Sequence, residues 1–124
     1  YQVKNPWDIY KYYMESLRYL KKEIFKVILL NTKNEIITNI DVSIGTLNSS
    51  LVHPREVFIE AIKRSANKII LMHNHPSGSI EPSNEDKKIT KRLISCGELI
   101  GIEVMDHIII GDGVYFSFKE NRII

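Results

Sequence analysis

The sequence predicts an α/β fold in which helices flank a mixed β-sheet. Short runs rich in β-branched and apolar residues recur along the chain, as is typical of buried strands. Between them lie segments whose apolar residues repeat every three or four positions, as in amphipathic helices. The chain has 124 residues, 44% hydrophobic and 26% charged, which is ordinary for a globular domain. We therefore expect residues 1–124 to form a single domain.

The first predicted element is a helix that begins at Asn5-Pro6 and ends near Lys21-Lys22, whose charges suit a helix C-terminus. Its apolar stripe, at spacings of three and four, consists of Tyr10, Tyr13, Leu17 and Leu20. Three strands are predicted next, over Ile24–Leu30, 35–40 and 42–47, with a turn at 31–34 between the first two.

The second half of the chain predicts two helices and three further strands. One helix begins at Pro54, and its expected apolar face is Val57, Phe58, Ala61 and Ile62. A strand over 68–72 leads into a loop, because Pro and Gly follow closely. The next helix opens at Ser83 and stops at Gly101, with an apolar stripe of Ile89, Leu93, Cys96 and Leu99. Two strands, Glu103–Ile110 and 114–118, form a final hairpin.

Composition narrows the possible functions. The net charge of +2 supplies no global basic field, so nucleic-acid binding would need a local patch. The single cysteine, Cys96, excludes an internal disulfide and multi-cysteine metal sites, and it lies on an apolar helical stripe. No apolar run is long enough to span a bilayer, and no leader opens the chain, so we expect a cytoplasmic protein without a membrane partner. The start at Tyr1 rather than Met suggests a fragment of a longer protein.

The segment from His73 to Asp86 carries the strongest chemical signal. His73 and His75 are two residues apart, so on an extended chain their imidazoles point to one face. Asp86, in the first turn of the following helix, can supply a third ligand. Two histidines and one carboxylate leave a fourth tetrahedral position open, as in catalytic zinc sites. Imidazole favours zinc over magnesium, whereas iron and manganese stay open.

Ser83-x-x-Asp86 also has a purely structural interpretation. A serine followed three residues later by an acid is typical of a helix N-terminus, where the serine caps the backbone and the acid faces the helix dipole. Both interpretations hold together if the capped first turn also fixes the carboxylate in place.

The spacing of these residues resembles the JAMM motif of the MPN+ metalloprotease superfamily, in which His-x-His is followed after seven residues by Ser-x-x-Asp. It is still more similar to the bacterial RadC-like branch, the DNA repair protein RadC family. The other segments that resemble this branch are Thr46-Leu-Asn-Ser-Ser, His53-Pro-Arg-Glu-Val-Phe, His73-Asn-His-Pro-Ser-Gly, Asp106-His-Ile-Ile-Ile-Gly and Gly113-Val-Tyr-Phe-Ser-Phe-Lys-Glu. The resemblance implies a cytidine-deaminase-like/MPN (JAB) type domain, here the C-terminal part of a longer protein.

The resemblance also implies roles for individual residues. The implied zinc ligands are His73, His75 and Asp86. Ser83 would help to stabilise a tetrahedral oxyanion. The family further requires a glutamate on an upstream strand, which holds the metal-bound water as general acid and base. Glu23, at the start of the first strand, fits that position, and Glu56, in the second helix, is the alternative.

The function that this implies is a zinc metallopeptidase or isopeptidase acting on a peptide or protein substrate. The alternative is a metal-binding interaction module in DNA repair or recombination without peptidase turnover. Its DNA contacts would come from the basic pairs Lys63-Arg64, Lys87-Lys88 and Lys91-Arg92, although such pairs are more often solvated helix faces. A zinc deaminase is disfavoured because no H-x-E precedes a P-C-x-x-C, whereas a nuclease and the oligomeric state stay open.

Three nearby polar residues receive supporting roles. We interpret His107, which lies between apolar strand residues, as a hydrogen-bonded structural histidine, and His53 as a helix-entry residue. Asn74, between the two histidines, is expected to orient the loop or the ligands, since a metal-bound histidine usually pairs its other nitrogen.

Overall fold

The computed structural model describes residues 1–17, 20–45 and 52–124. Its elements, in chain order, are α1 (Pro6–Leu17), β1 (Ile24–Leu30), β2 (Ile36–Ile44), α2 (Pro54–Lys63), β3 (Lys68–Asn74), α3 (Asn84–Ile100), β4 (Glu103–Ile110) and β5 (Tyr115–Ser117). The strands form one sheet in the order β2-β1-β3-β4-β5. β3 and β4 are parallel and the other neighbours are antiparallel, which confirms the predicted mixed sheet flanked by helices.

Alternating side chains of the central strands build an apolar core on each face of the sheet. Val27 and Leu29 of β1 pack with the buried faces of α2 and α3. Ile28 and Leu30 point the other way and pack with α1. Because side chains of a strand alternate between faces, covering both faces requires a continuous apolar run. This explains why the sequence of β1 shows no alternation of apolar and polar residues.

The helix α3 crosses from β3 to the parallel strand β4, and its ends are defined by specific residues. Ser83 is the N-cap, and Ser83 and Asp86 form a reciprocal capping box. Gly101 ends the helix in the left-handed conformation, with φ 78°, which a glycine adopts without steric cost. Both predicted ends of this helix are therefore confirmed. The described part of the chain has no helix long and apolar enough to cross a membrane.

The first helix is shorter than predicted. α1 ends at Leu17 rather than near Lys21-Lys22. The segment just before β1 is tied to the sheet instead: the carbonyl of Lys22 accepts a hydrogen bond from Asn74 Nδ2, and the carbonyl of Glu23 accepts one from Gly45 N. These main-chain groups serve tertiary hydrogen bonds, which overrides the weak preference of the two lysines for a helix end.

The two strands predicted over 35–40 and 42–47 are wrong as separate elements, because β2 runs unbroken from Ile36 to Ile44. Asp41, between the two predicted ranges, lies within β2 and forms an ion pair of 2.7 Å with Lys26 of β1. Irregularities in the β1–β2 register accommodate the long strand. The end of the predicted third strand, at 46–47, lies outside the described residues.

Smaller differences concern strand ends and helix faces. β3 extends through Asn74, and the strand predicted over 114–118 is shorter, at Tyr115–Ser117. Ile62 and Leu99 were expected in the core but are 59% and 88% exposed. Val57, Phe58 and Ala61 already fill the side of α2 that faces the sheet, so Ile62 falls on its outer flank.

Asp106 joins the last two strands to the C-terminal turn, and its loss should destabilise the fold. Its carboxylate accepts hydrogen bonds from the main-chain nitrogens of His107 and Lys119 and from the hydroxyl of Ser117. Removing an acceptor from buried donors costs about 1–3 kcal/mol. We expect Asp106→Ala to lower the free energy of unfolding by at least that amount in urea titrations. Glu98→Ala, on the exposed side of α3, is the control, with an expected change within about 0.5 kcal/mol. Equal stabilities would contradict this role.

Candidate metal centre

Three elements bring His73, His75 and Asp86 together. His73 lies near the end of β3, and the main-chain nitrogen of His75 donates to the carbonyl of Ile110, 3.0 Å away, which keeps the next residues beside β4. Asp86 occupies the first turn of α3, where the capping box with Ser83 holds it. The parallel pairing of β3 and β4 thus directs the end of β3 toward the start of the helix that joins them.

The three side chains converge on one point. His73 Nε2 lies 2.9 Å from His75 Nε2 and 3.2 Å from Asp86 Oδ1. His75 Nε2 lies 3.3 Å from Asp86 Oδ2. Zinc bonds of about 2.0–2.1 Å in a tetrahedron separate neighbouring ligand atoms by about 3.3 Å. The group could therefore hold a metal ion, since one ligand atom of each residue lies within 4.8 Å of the other two.

The remaining nitrogen of each ligand histidine has its own partner. His75 Nδ1 lies 2.8 Å from the carbonyl of Ser79, which can only accept, so this nitrogen carries the proton and donates. His73 Nδ1 lies 2.7 Å from Nε2 of His107. Partners of this kind orient metal-bound imidazoles in proteins. With the proton of His75 on Nδ1, its Nε2 lone pair faces the centre of the group.

Burial and hydrogen bonding shift the pKa of both charged partners. Burial would raise the pKa of Asp86, but the interactions of its carboxylate with His73 and His75 outweigh burial and hold the pKa far below its usual range. The hydrogen bond to Asp86 raises the pKa of His75, against the opposing effect of burial, and the negative charge of Glu23 raises it further. Asp86 is thus an anion that is almost fully buried, and it attracts positive charge to this point.

His107 and Thr90 stand behind the three side chains. His107 is fully buried, and burial lowers its pKa well below the usual range, with the neighbouring His73 adding to the effect. Its Nδ1 contacts the hydroxyl of Thr90, which itself donates to the carbonyl of Asp86 at 2.7 Å. The interpretation of His107 as hydrogen-bonded and structural missed its contact with His73. Thr90 and the Ser79 carbonyl were missed altogether, although Thr90 lies one helical turn after Asp86.

The two candidate glutamates lie in different surroundings. Phe25 pairs with His73, and the same antiparallel register continued by two residues places Glu23 opposite His75. Glu23 is partly buried and lines a cleft of about 280 Å³ with Pro76, the residue after His75. Glu56 is exposed in the first turn of α2. Larger cavities of about 500 and 460 Å³ are lined by other residues, around β4 and between α2 and α3.

Asn74 holds the main chain on both sides of Glu23. Its Oδ1 accepts a hydrogen bond from Ile24 N at 2.7 Å, and its Nδ2 donates to the carbonyl of Lys22 at 3.0 Å. The carboxamide thus anchors the start of β1 to β3 beyond the last pair of the β1–β3 ladder, Phe25 with His73. The prediction that Asn74 orients the loop or the ligand histidines is therefore wrong: its side chain bonds to Lys22 and Ile24, and the ring nitrogens of the ligand histidines pair with His107 and the Ser79 carbonyl.

The comparison with protein families agrees with this geometry. Residues 3–123 match the family model described as the RadC-like JAB domain. The chain belongs to this family. The resemblance that the motif segments indicated is therefore confirmed, as is the JAB/MPN-type fold that it implied.

Several bacterial proteins are similar to this RadC-like JAB domain over its whole length. A UPF0758 protein of Clostridioides difficile is 78% identical over all 124 residues, which are 53% of that protein. Relatives from Alkaliphilus metalliredigens and Clostridium tetani, also UPF0758 proteins, are 60% and 57% identical over 99% and 100% of the chain and 53% and 54% of their own lengths. The chain thus spans about half the length of these curated relatives.

Gly111 lets the loop after His75 approach the β4–β5 turn, and a side chain there should disturb the site. A Cβ at this position would overlap the carbonyl oxygen of Gly78 and lie 2.7 Å from Ile80 Cγ2. The displaced loop carries Ser79, whose carbonyl orients His75. We expect Gly111→Ala to cost about 1–3 kcal/mol in urea unfolding and to weaken Co²⁺ binding about 10-fold.

Val114→Ala, a half-exposed position beside the same turn, is the control and should change neither quantity measurably. Co²⁺ binding is followed by its visible absorption. A Gly111→Ala variant that binds Co²⁺ with the affinity of the parent would show that the loop carrying Ser79 does not orient His75.

Proposed function

We propose that this RadC-like JAB domain is a zinc-dependent hydrolase that cleaves amide or isopeptide bonds with a metal-activated water. The observation that supports it is the convergence of two imidazole Nε2 atoms and one buried carboxylate. Three such acceptor atoms repel one another at these distances unless a proton or a cation lies between them.

The donor set favours zinc and chemistry at an open site. Imidazole suits zinc better than magnesium, and three protein ligands leave the fourth position for water or substrate. A zinc ion bound by these side chains would act as a Lewis acid and lower the pKa of a coordinated water to about 7. The ligands of this proposal are His73, His75 and Asp86.

Glu23 is the proposed general acid and base. Continuing the β1–β3 register two residues beyond the pair Phe25–His73 brings Glu23 near His75, and the charge of Glu23 raises the pKa of that histidine. Its carboxylate would accept a proton from the attacking water and deliver it to the nitrogen of the leaving amine. The hydrogen bonds of Asn74 to Lys22 and Ile24 support this role because they fix the main chain on both sides of Glu23.

Ser83 is the proposed donor to the oxyanion. Its Oγ accepts a hydrogen bond from Asp86 N at 3.0 Å, so the hydroxyl hydrogen stays available for another acceptor. Directed at the developing negative charge on the carbonyl oxygen, it would stabilise the transition state more than the ground state. The substrate class that we propose is a peptide, bound in the cleft that Glu23 and Pro76 line.

Metal content tests the first step of this proposal. We expect about one zinc per chain, measured by mass spectrometry of protein purified without chelator. His75→Ala should retain little zinc because two ligands hold the ion far more weakly than three. His53→Ala, a histidine at the start of α2, is the matched control and should bind as the parent does. No zinc in the parent, even after zinc is added back, would exclude the enzymatic proposal.

The role of Glu23 is tested by Glu23→Gln, which should keep zinc but lower turnover by about 10²–10⁴-fold, because the amide cannot take the proton. The assay uses fluorogenic peptide libraries and isopeptide-linked model peptides. Glu56→Gln, an exposed glutamate, should leave both zinc content and turnover unchanged.

Two outcomes for the Glu23→Gln variant would reject Glu23 as the general acid and base. A fully active Glu23→Gln would remove Glu23 from the mechanism, and a zinc-free one would make it part of the metal site.

A parent that holds zinc but cleaves no probe, and that binds DNA with affinity falling steeply as salt rises, would favour the interaction module in DNA repair or recombination.

A further inference from the structure

We propose that Thr90 and His107 are positioning residues that hold His73 in the tautomer with its proton on Nδ1. The Nε2 lone pair of His73 then faces His75 and Asp86, ready for a cation. This inference rests on the proposed metal site, since the chosen tautomer matters only if Nε2 binds a metal ion. Neither positioning residue contacts that point directly, as His73 lies between.

The direction of each hydrogen bond follows from the groups involved. The carbonyl of Asp86 has no hydrogen, so Thr90 Oγ1, 2.7 Å away, must donate to it. The single hydroxyl hydrogen of Thr90 is then used, and Thr90 Oγ1 can only accept from His107 Nδ1. A proton on Nδ1 of a neutral imidazole leaves Nε2 as an acceptor. His107 Nε2 therefore accepts from His73 Nδ1, 2.7 Å away.

The ring of His107 is held in the orientation that this sequence of bonds needs. It stacks on Phe118 with 4.6 Å between ring centroids and meets Phe25 edge-on at 5.8 Å. His107 is fully buried, so its nitrogens meet protein groups only: the imidazole of His73 and the hydroxyl of Thr90. A packed ring cannot exchange its two nitrogens by rotation without disturbing both phenylalanines.

The bonds close a ring that begins and ends at Asp86. From its carbonyl the path runs through Thr90 of α3 and His107 of β4 to His73 of β3, whose Nε2 faces the Asp86 carboxylate at 3.2 Å. If Thr90 could not accept, His107 Nδ1–H would lose its partner. The favoured tautomer of His107 would then carry the proton on Nε2 and donate to His73. His73 would have to move its own proton to Nε2, the atom needed for the metal.

Thr90→Val and Thr90→Ser form the matched pair that tests this. Valine has the shape of threonine without the hydroxyl, whereas serine keeps the hydroxyl. We expect Thr90→Val to bind Zn²⁺ about 10–100-fold more weakly in competition with a chromophoric chelator, and Thr90→Ser to stay near the parent. Urea unfolding of both variants verifies that the folded fraction is the same. Parent-like affinity in a folded Thr90→Val would overturn the proposal.

The tautomers themselves are measured in metal-free protein with ¹⁵N-labelled histidine. NMR spectra that correlate the carbon-bound ring protons with the two ring nitrogens show which nitrogen carries the proton. We expect His73 protonated on Nδ1 in the parent and in Thr90→Ser, and a shift of the proton toward Nε2 in Thr90→Val. A structural role of Thr90 alone would not move this signature. A parent His73 protonated on Nε2 would overturn the proposal, whether or not zinc binds, whereas a parent with the expected tautomer but no zinc would reject only the proposed function.

Discussion

The buried carboxylate of Asp86 is the constraint on which the rest of the centre depends. An ionised group that is 1% exposed is costly unless it is fully hydrogen-bonded and faces positive charge. The start of α3 supplies part of this through the main-chain nitrogen of Ser83, 2.8 Å from Oδ2, and through the positive end of the helix dipole. The remainder has to come from a proton or a cation held between the carboxylate and the two imidazoles. The capping box therefore does not compete with ligand binding: the same geometry that begins the helix also aims the carboxylate.

The groups around the histidines matter because an imidazole can bind a metal only through an unprotonated nitrogen. The Ser79 carbonyl, which belongs to a loop, keeps the proton of His75 on Nδ1. His107, which belongs to the neighbouring strand β4, keeps the proton of His73 on Nδ1. Each partner belongs to a different part of the fold. The loop is held close by the absence of a side chain at Gly111, and the strand by its parallel pairing with β3. The close approach at Gly111 and the pairing of β3 with β4 thus position the two groups that decide which ring nitrogens are free to bind a metal.

Local patterns were sufficient to predict the part of the centre that lies close in sequence. The spacing of His73, His75 and Asp86 and the caps of α3 depend on short-range geometry, and the structure brings them together as expected. The contact of His73 with His107 spans 34 residues and depends on the register of β3 against β4, which no local pattern encodes. The end of α1 and the unbroken β2 were predicted wrongly for the same reason. There, hydrogen bonds to Asn74 and an ion pair to Lys26 override local preference.

The three residues His73, Asn74 and His75 show how one short segment serves two purposes. Neighbouring side chains of an extended chain point to opposite faces. The histidines therefore share the face of Asp86, while Asn74 turns away and fastens the main chain around Glu23. A serine or alanine between the histidines would leave the three ligands in place but release the start of β1. If Glu23 is the proton carrier, the amide of Asn74 thus fixes the position of that carrier relative to the metal ligands on either side of Asn74. A module that only bound metal would gain nothing beyond sheet stability from the hydrogen bonds of Asn74 around Glu23. Measuring zinc content and turnover separately in the same variants therefore decides between the two functions.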